Sequence, residues 1–181
     1  MSETYTPNPA GGPSASALLA ALQAAQVTHC VTVPDFVQFA LHQRIMAADS
    51  GLVNVLACTE DQALTTATGI YIGGGKPVVM VQNQGLFKCM NTLRATCMDC
   101  AVPMVFLVGQ FGREAENFGQ PTRASRRSMV RIMEPWLQAL DLRFWNIDED
   151  ADVPHVAHAF EHAANAKTAA VLLIGRHVAW N

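Results

Sequence analysis

The chain has 181 residues, a formal net charge of −3, 50% hydrophobic residues and only 15% charged ones. That length fits one domain, and an apolar-rich, charge-poor composition excludes a disordered chain. Neither the basic excess of a nucleic-acid binder nor an apolar run near the ~18–20 residues of a membrane span is present.

Residues 1–13 hold three prolines and Gly11-Gly12, and read as a flexible N-terminal arm. They lack the basic and apolar regions of a signal peptide, so a cytoplasmic location is expected. Residues 14–181 read as a single domain. Ser14 or Ser16 is placed to cap a helix over 15–26, with Leu18, Leu19 and Leu22 on one face. Residues 28–33 form a short β-branched strand that Pro34-Asp35 ends. Helical spacing from Phe36 to Ile45 predicts a helix over 36–48, and 52–57 is the next strand. An Ala- and Thr-rich helix over 60–72 stops at Gly73-Gly74-Gly75. Strand 77–81, helix 85–100 and strand 103–108 follow. Strands over 142–147 and 169–174 flank a helix over 152–166.

Helices and strands alternate, and the strands are continuously apolar rather than alternating. That pattern predicts an α/β domain: a doubly wound, mainly parallel six-stranded sheet with helices on both faces. Ligands in such sheets bind beyond the carboxyl ends of the strands. The loops found there carry Pro34-Asp35, then Glu60-Asp61, then Gln82-Asn83-Gln84, then a long segment holding Arg113, Glu114, Glu116 and Gln120. Each has an ordinary structural role open to it, as a cap or a strand end. Their meeting at one edge is what marks a site.

Five cysteines without a signal peptide read as reduced thiols. Cys97-Met-Asp-Cys100 has no second pair to complete a zinc site and reads as buried packing. His155, His158 and His162 share a helix face but lack a fourth ligand. No metal site is therefore expected in this chain.

These motifs in this order resemble the pyrimidine-binding domain of thiamine-diphosphate-dependent 2-oxo acid decarboxylases, within them the sulfopyruvate and phosphonopyruvate decarboxylase group. The matching pieces are Val33-Pro34-Asp35, then Glu60 with Gly74-Gly75-Lys76-Pro77, then Val81-Gln82-Asn83-Gln84-Gly85-Leu86 with Asn91, and Pro103-Met104 leading to Gly109. The resemblance implies that Glu60 faces N1′ of the cofactor's aminopyrimidine. It places Pro34, Gln82, Asn83 and Asn91 about the cofactor, and Asp35, Gln84, Lys88, Arg113 and Gln120 about the substrate. A carboxyl at N1′ shares a proton with the ring and favours its imino tautomer. Asp35 is the candidate for handling a proton after CO₂ leaves.

Two departures matter. Gln84-Gly85-Leu86-Phe87-Lys88 stands where the family has Ser-Gly-Leu-Gly-Asn, and Lys88 is available to an anionic group. Five of nine arginines fall between Arg113 and Arg131, a substrate-facing or subunit-facing set. The chain also lacks the Gly-Asp-Gly…Asn motif with which the family holds Mg²⁺ and the diphosphate. The resemblance therefore implies an α subunit completed by a second, diphosphate-binding β subunit, in a hetero-oligomer with two or more copies of each. The low charged fraction agrees with a covered surface. A carboligase or other C–C lyase subunit and a non-catalytic regulatory partner are the alternatives.

Overall fold

The computed structural model describes residues 11–180. Positions 1–10 of the expected arm lie outside the described residues. Pro13 is buried, and its carbonyl accepts a hydrogen bond from the Ala179 N–H at 2.9 Å.

Six strands form one sheet: β1 (His29–Thr32), β2 (Val53–Leu56), β3 (Pro77–Gln82), β4 (Met104–Gly109), β5 (Arg143–Ile147) and β6 (Ala169–Ile174). Their order is β2-β1-β3-β4-β6-β5, and every neighbouring pair is parallel. Successive side chains leave a strand on opposite faces, so a continuous apolar run feeds two cores. On β3, Val78 and Met80 enter one core, whereas Val79 and Val81 enter the other. The first core is closed by α1 (Ala15–Ala24), α2 (Phe39–Met46) and α8 (His155–Ala166), through Leu18, Leu22, Leu41, Ile45 and Val156. The second is closed by α3 (Glu60–Ile72), α4 (Asn83–Lys88), α5 (Met90–Leu93) and α7 (Met133–Ala139), through Leu64, Leu86, Leu93 and Leu137. The expected doubly wound sheet is thus present, with no antiparallel pair.

The chain leaves β1 towards β2 on one side and leaves β3 towards β4 on the other. The crevice beyond the ends of β1 and β3 is therefore the switch point where such sheets hold ligands. Local signals set what surrounds it. Thr59 caps α3, its Oγ1 accepting from the Gln62 N–H at 3.3 Å, so Glu60 becomes the first helical residue.

The structure differs from expectation in three places. Helix α2 begins at Phe39 rather than 36, because the Asp35 side chain holds the Val37 N–H in a turn. Phe36 stays outside the helix and is 65% exposed. The single helix expected over 85–100 starts earlier, at Asn83, and is divided. It breaks at Cys89 into α4 and α5 and ends in a π-helix, Arg94–Asp99, where the Cys100 N–H reaches the Ala95 carbonyl five residues back. Helices α6 (Ser128–Arg131) and α7 occupy a stretch where the sequence pattern marked none. Pro135 lies in the first turn of α7, where a missing N–H breaks no hydrogen bond.

Burial pushes the Cys97 thiol up to about 11, as expected of a packing residue. Cys100, in contrast, is exposed, because the π-helix turns it outward. Among the described residues no helix is long and apolar enough to cross a membrane.

Phe106, wholly buried on β4, fills the second core. Phe106→Ala is expected to lower the unfolding free energy by about 3–5 kcal/mol in a denaturant titration. Cys100→Ser, at the exposed thiol, should stay within about 0.5 kcal/mol of the parent. Equal losses would contradict this division of the chain into core and surface.

Candidate active site

Asp35 follows β1 and is only 2% exposed. Its Oδ1 accepts from the Val37 N–H at 3.0 Å and its Oδ2 from Gln38 Nε2 at 2.8 Å. The carboxyl lies directly against the Cα of Gly109 at the end of β4. A β-carbon built on Gly109 would stand 2.7 Å from Asp35 Cγ and overlap Oδ2. Burial pushes this carboxyl up from 3.8 to about 6, against the hydrogen bonds from Gln38, Val37 and the Gly109 backbone, which favour the ionised form.

Glu60 opens α3 on the other side of the crevice. Its side chain rests over Gly85 of α4, where a built β-carbon would stand 2.5 Å from Glu60 Cδ. Its Oε2 lies 3.7 Å from Lys88 Nζ, and the Glu60 side chain retains 17% exposure. Among the described residues no hydrogen bond holds this carboxyl, so it has a side open to a hydrogen-bonding edge. A carboxylate with one open side fits a heterocycle presenting such an edge.

Gln82 ends β3 and pairs with the exposed Gln84, whose Nε2 lies 3.1 Å from Met129 Sδ. Asn83 is fully buried. Its Nδ2 donates to the Phe111 carbonyl at 3.0 Å, and its Oδ1 accepts from the Gln84 N–H at 2.9 Å. Asn83 thus ties the loop after β3 to the loop after β4. Pro34 is exposed beside Asp35.

Other sequence candidates sit differently. Asn91 is exposed on α5, and its Oδ1 accepts from Arg94 Nη2 at 3.1 Å. Arg113 is occupied by the protein itself. Its side chain is 3% exposed and its guanidinium pairs with Asp148 at 3.0 Å, with Nε on Asn117 Oδ1 and Nη2 on the Asn117 and Gln120 carbonyls. These bonds fix the segment after β4 and leave Arg113 no free donor pair for a substrate. Gln120 is exposed and serves this brace through its backbone. Arg126 pairs with Glu114 and Glu116 on the surface. Glu114, bonded by the Arg126 N–H and Ser125 Oγ, is held down at about 2. Among the described residues no three His, Cys, Asp or Glu side chains gather to hold a metal ion.

Two buried amides were not picked out from the sequence. Gln38 reaches Asp35 and two strand-end carbonyls. Gln110, 1% exposed, has neither amide atom paired among the described residues. Gln38 has no local signal, because its strand partners lie 43 and 69 residues away. Gln110 could have been noted as a polar residue directly after a β4 run otherwise wholly apolar.

Comparison with known proteins agrees with this geometry. Residues 14–131 match the family described as thiamine pyrophosphate enzyme, N-terminal TPP binding domain. The chain belongs to that family. The subunit alpha of sulfopyruvate decarboxylase from Methanothermobacter thermautotrophicus is 25% identical over 123 residues, 67% of this chain and 74% of that subunit. Phosphonopyruvate decarboxylase from Streptomyces viridochromogenes is 27% identical over 145 residues, 80% of this chain but 35% of that protein. Sulfopyruvate decarboxylase from Methanosarcina acetivorans is 32% identical over 53 residues, 29% of this chain and 14% of that protein. The chain thus spans about a third or less of the last two relatives. A crystal structure of benzoylformate decarboxylase from Polynucleobacter necessarius shares the fold, with a TM-score of 0.66 and 18% identity over 89% of this chain and 29% of that one. The thiamine-enzyme domain implied by the motifs is therefore the family to which the chain belongs.

The raised Asp35 pKa has a consequence for stability. The folded chain binds this proton more tightly than the unfolded one, so stability falls as pH rises from 3.8 to about 6. The full cost, roughly 3 kcal/mol, is present above that window and absent below it. Asp35→Asn removes the titration. Thermal melts from pH 3.5 to 7 should show the variant gaining on the parent as pH rises. A stability difference that does not change with pH would contradict the buried carboxyl described here.

Proposed function

We propose that this chain is the α subunit of a heteromeric thiamine-diphosphate-dependent decarboxylase acting on a small anionic 2-oxo acid. One observation carries the reading: residues 14–131 match the thiamine pyrophosphate enzyme N-terminal domain, and 123 residues are 25% identical to a protein named as the subunit alpha of sulfopyruvate decarboxylase. A second, β subunit bearing Gly-Asp-Gly…Asn supplies Mg²⁺ and the diphosphate site.

When bound, thiamine diphosphate supplies the ring that accepts electrons as CO₂ leaves a 2-oxo acid. This chain's residues bind and position. Glu60, whose contact with Lys88 is long, would hold the aminopyrimidine of the cofactor and could share a proton with its ring. Its seat over Gly85 limits the directions in which the carboxyl can move. Released from Glu60, the Lys88 ammonium turns to the far anionic group of the substrate. Asp35 is placed to take up or give a proton, because burial raises its carboxyl to about 6. Asn83 locks the loops after β3 and β4 together, so that Gln82 and Gln84 keep their places at the rim.

The test is to combine the chain with a β subunit bearing Gly-Asp-Gly…Asn and to screen 2-oxo acids for CO₂ release. Activity should appear only with both chains. Glu60→Gln should assemble normally and lose at least ~10²-fold in kcat, the scale of a general acid–base contribution. The chain alone should bind thiamine diphosphate weakly. Submicromolar binding by the isolated chain, or a Glu60→Gln complex keeping more than half its activity, would contradict the proposal.

A further inference from the structure

Gln38 has no solvent exposure and stands three residues after Asp35. Its Nε2 donates to Asp35 Oδ2 at 2.8 Å, and also lies 3.3 Å from the Val81 carbonyl and 3.2 Å from the Leu107 carbonyl. A primary amide nitrogen carries two N–H groups, so two donors serve three oxygens. Turning the amide over would set its carbonyl oxygen against a carboxyl and two backbone carbonyls. The side chain is therefore held in the donating sense alone. Its own Oε1 has no hydrogen-bond partner among the described residues. A buried acceptor left unpaired is costly, and a methionine would fill this space without that cost. The nitrogen is what the site keeps.

We propose that Gln38 is the positioning residue for Asp35: it presents a fixed N–H to Oδ2 and ties the loop after β1 to β3 and β4 across the switch point. Val81 immediately precedes Gln82, so one amide sets Asp35 relative to the rim residues of β3. With Val37 on Oδ1 and Gln38 on Oδ2, the carboxyl cannot rotate. A proton then enters or leaves only through the lone pairs that these donors leave free. The inference rests on the proposed role of Asp35 in proton handling.

The surroundings make the effect readable. On the packed elements the titratable side chains are His29 and Cys30 on β1, His42 and Arg44 on α2, and His177, which meets Phe36 edge-on at 5.4 Å. None of them contributes to the Asp35 carboxyl. Burial acts on it against three hydrogen bonds, of which the one from Gln38, at 2.8 Å, is shorter than the 3.0 Å bond from Val37.

The experiment follows the ¹³C carboxyl signal of Asp35 through pH in the full chain, with Asp35→Asn identifying the signal. In Gln38→Met, which keeps length but removes the donor, the Asp35 midpoint should rise by about half a unit or more. The high-pH limb of kcat in the assembled enzyme should move the same way. A residue that only filled space would lower kcat without moving either midpoint, and an unmoved midpoint overturns the proposal. If Gln38→Met does not fold, the unmodified chain decides. The Gln38 side-chain ¹H–¹⁵N signals should titrate with the Asp35 midpoint, and signals that ignore that titration overturn the proposal equally. Asp35→Asn activity separates the two ideas. Full activity there removes the role given to Asp35, whereas the midpoint measurements judge Gln38.

Discussion

Two missing β-carbons decide where the carboxyls of this site sit. Gly109 lets Asp35 lie against the end of β4, and Gly85 lets Glu60 lie against α4. Any side chain at either glycine would occupy the volume of the carboxyl it supports. The close approach does more than make room. It removes water from Asp35 and so raises its pKa, and it leaves Glu60 resting on a backbone surface with one open side. The same arrangement recurs at Gly175, where a β-carbon would overlap Asp148 and Arg113, the pair that braces the segment after β4. Placement by backbone contact suits a parallel sheet, whose strand ends are rigid and close together.

The broad fold could be read from the chain because its signals are local. Continuous apolar runs mark β3, β4 and β6, and the bounds of α3 follow from Thr59 before it and three glycines after it. Errors arose where a local signal was answered by a distant or unusual one. The start of α2 depends on a side-chain bond from Asp35, and the division of 83–99 depends on a backbone break at Cys89 and one added residue per turn.

The candidate site divides in the same way. Asp35, Glu60, Gln82 and Asn83 follow strand ends in the sequence, so their grouping can be anticipated from topology alone. Arg113 could not be judged, since its charge partner, Asp148, lies 35 residues further on. A cluster of arginines suggested anion binding, whereas the most buried of them is spent on holding its own loop. Gln38 was the reverse case, an unremarked residue whose meaning appears only once β3 and β4 are side by side.

What the chain presents at the switch point is a set of carboxyls and amides arranged along a sheet edge. A structure of the assembled complex with thiamine diphosphate measures the central claim most directly. The account predicts a Glu60 carboxyl oxygen within about 2.6–3.2 Å of N1′, Lys88 released from it, and Asp35 still seated on Gly109. A pyrimidine ring held by a different carboxyl, with Glu60 still paired to Lys88, would contradict it.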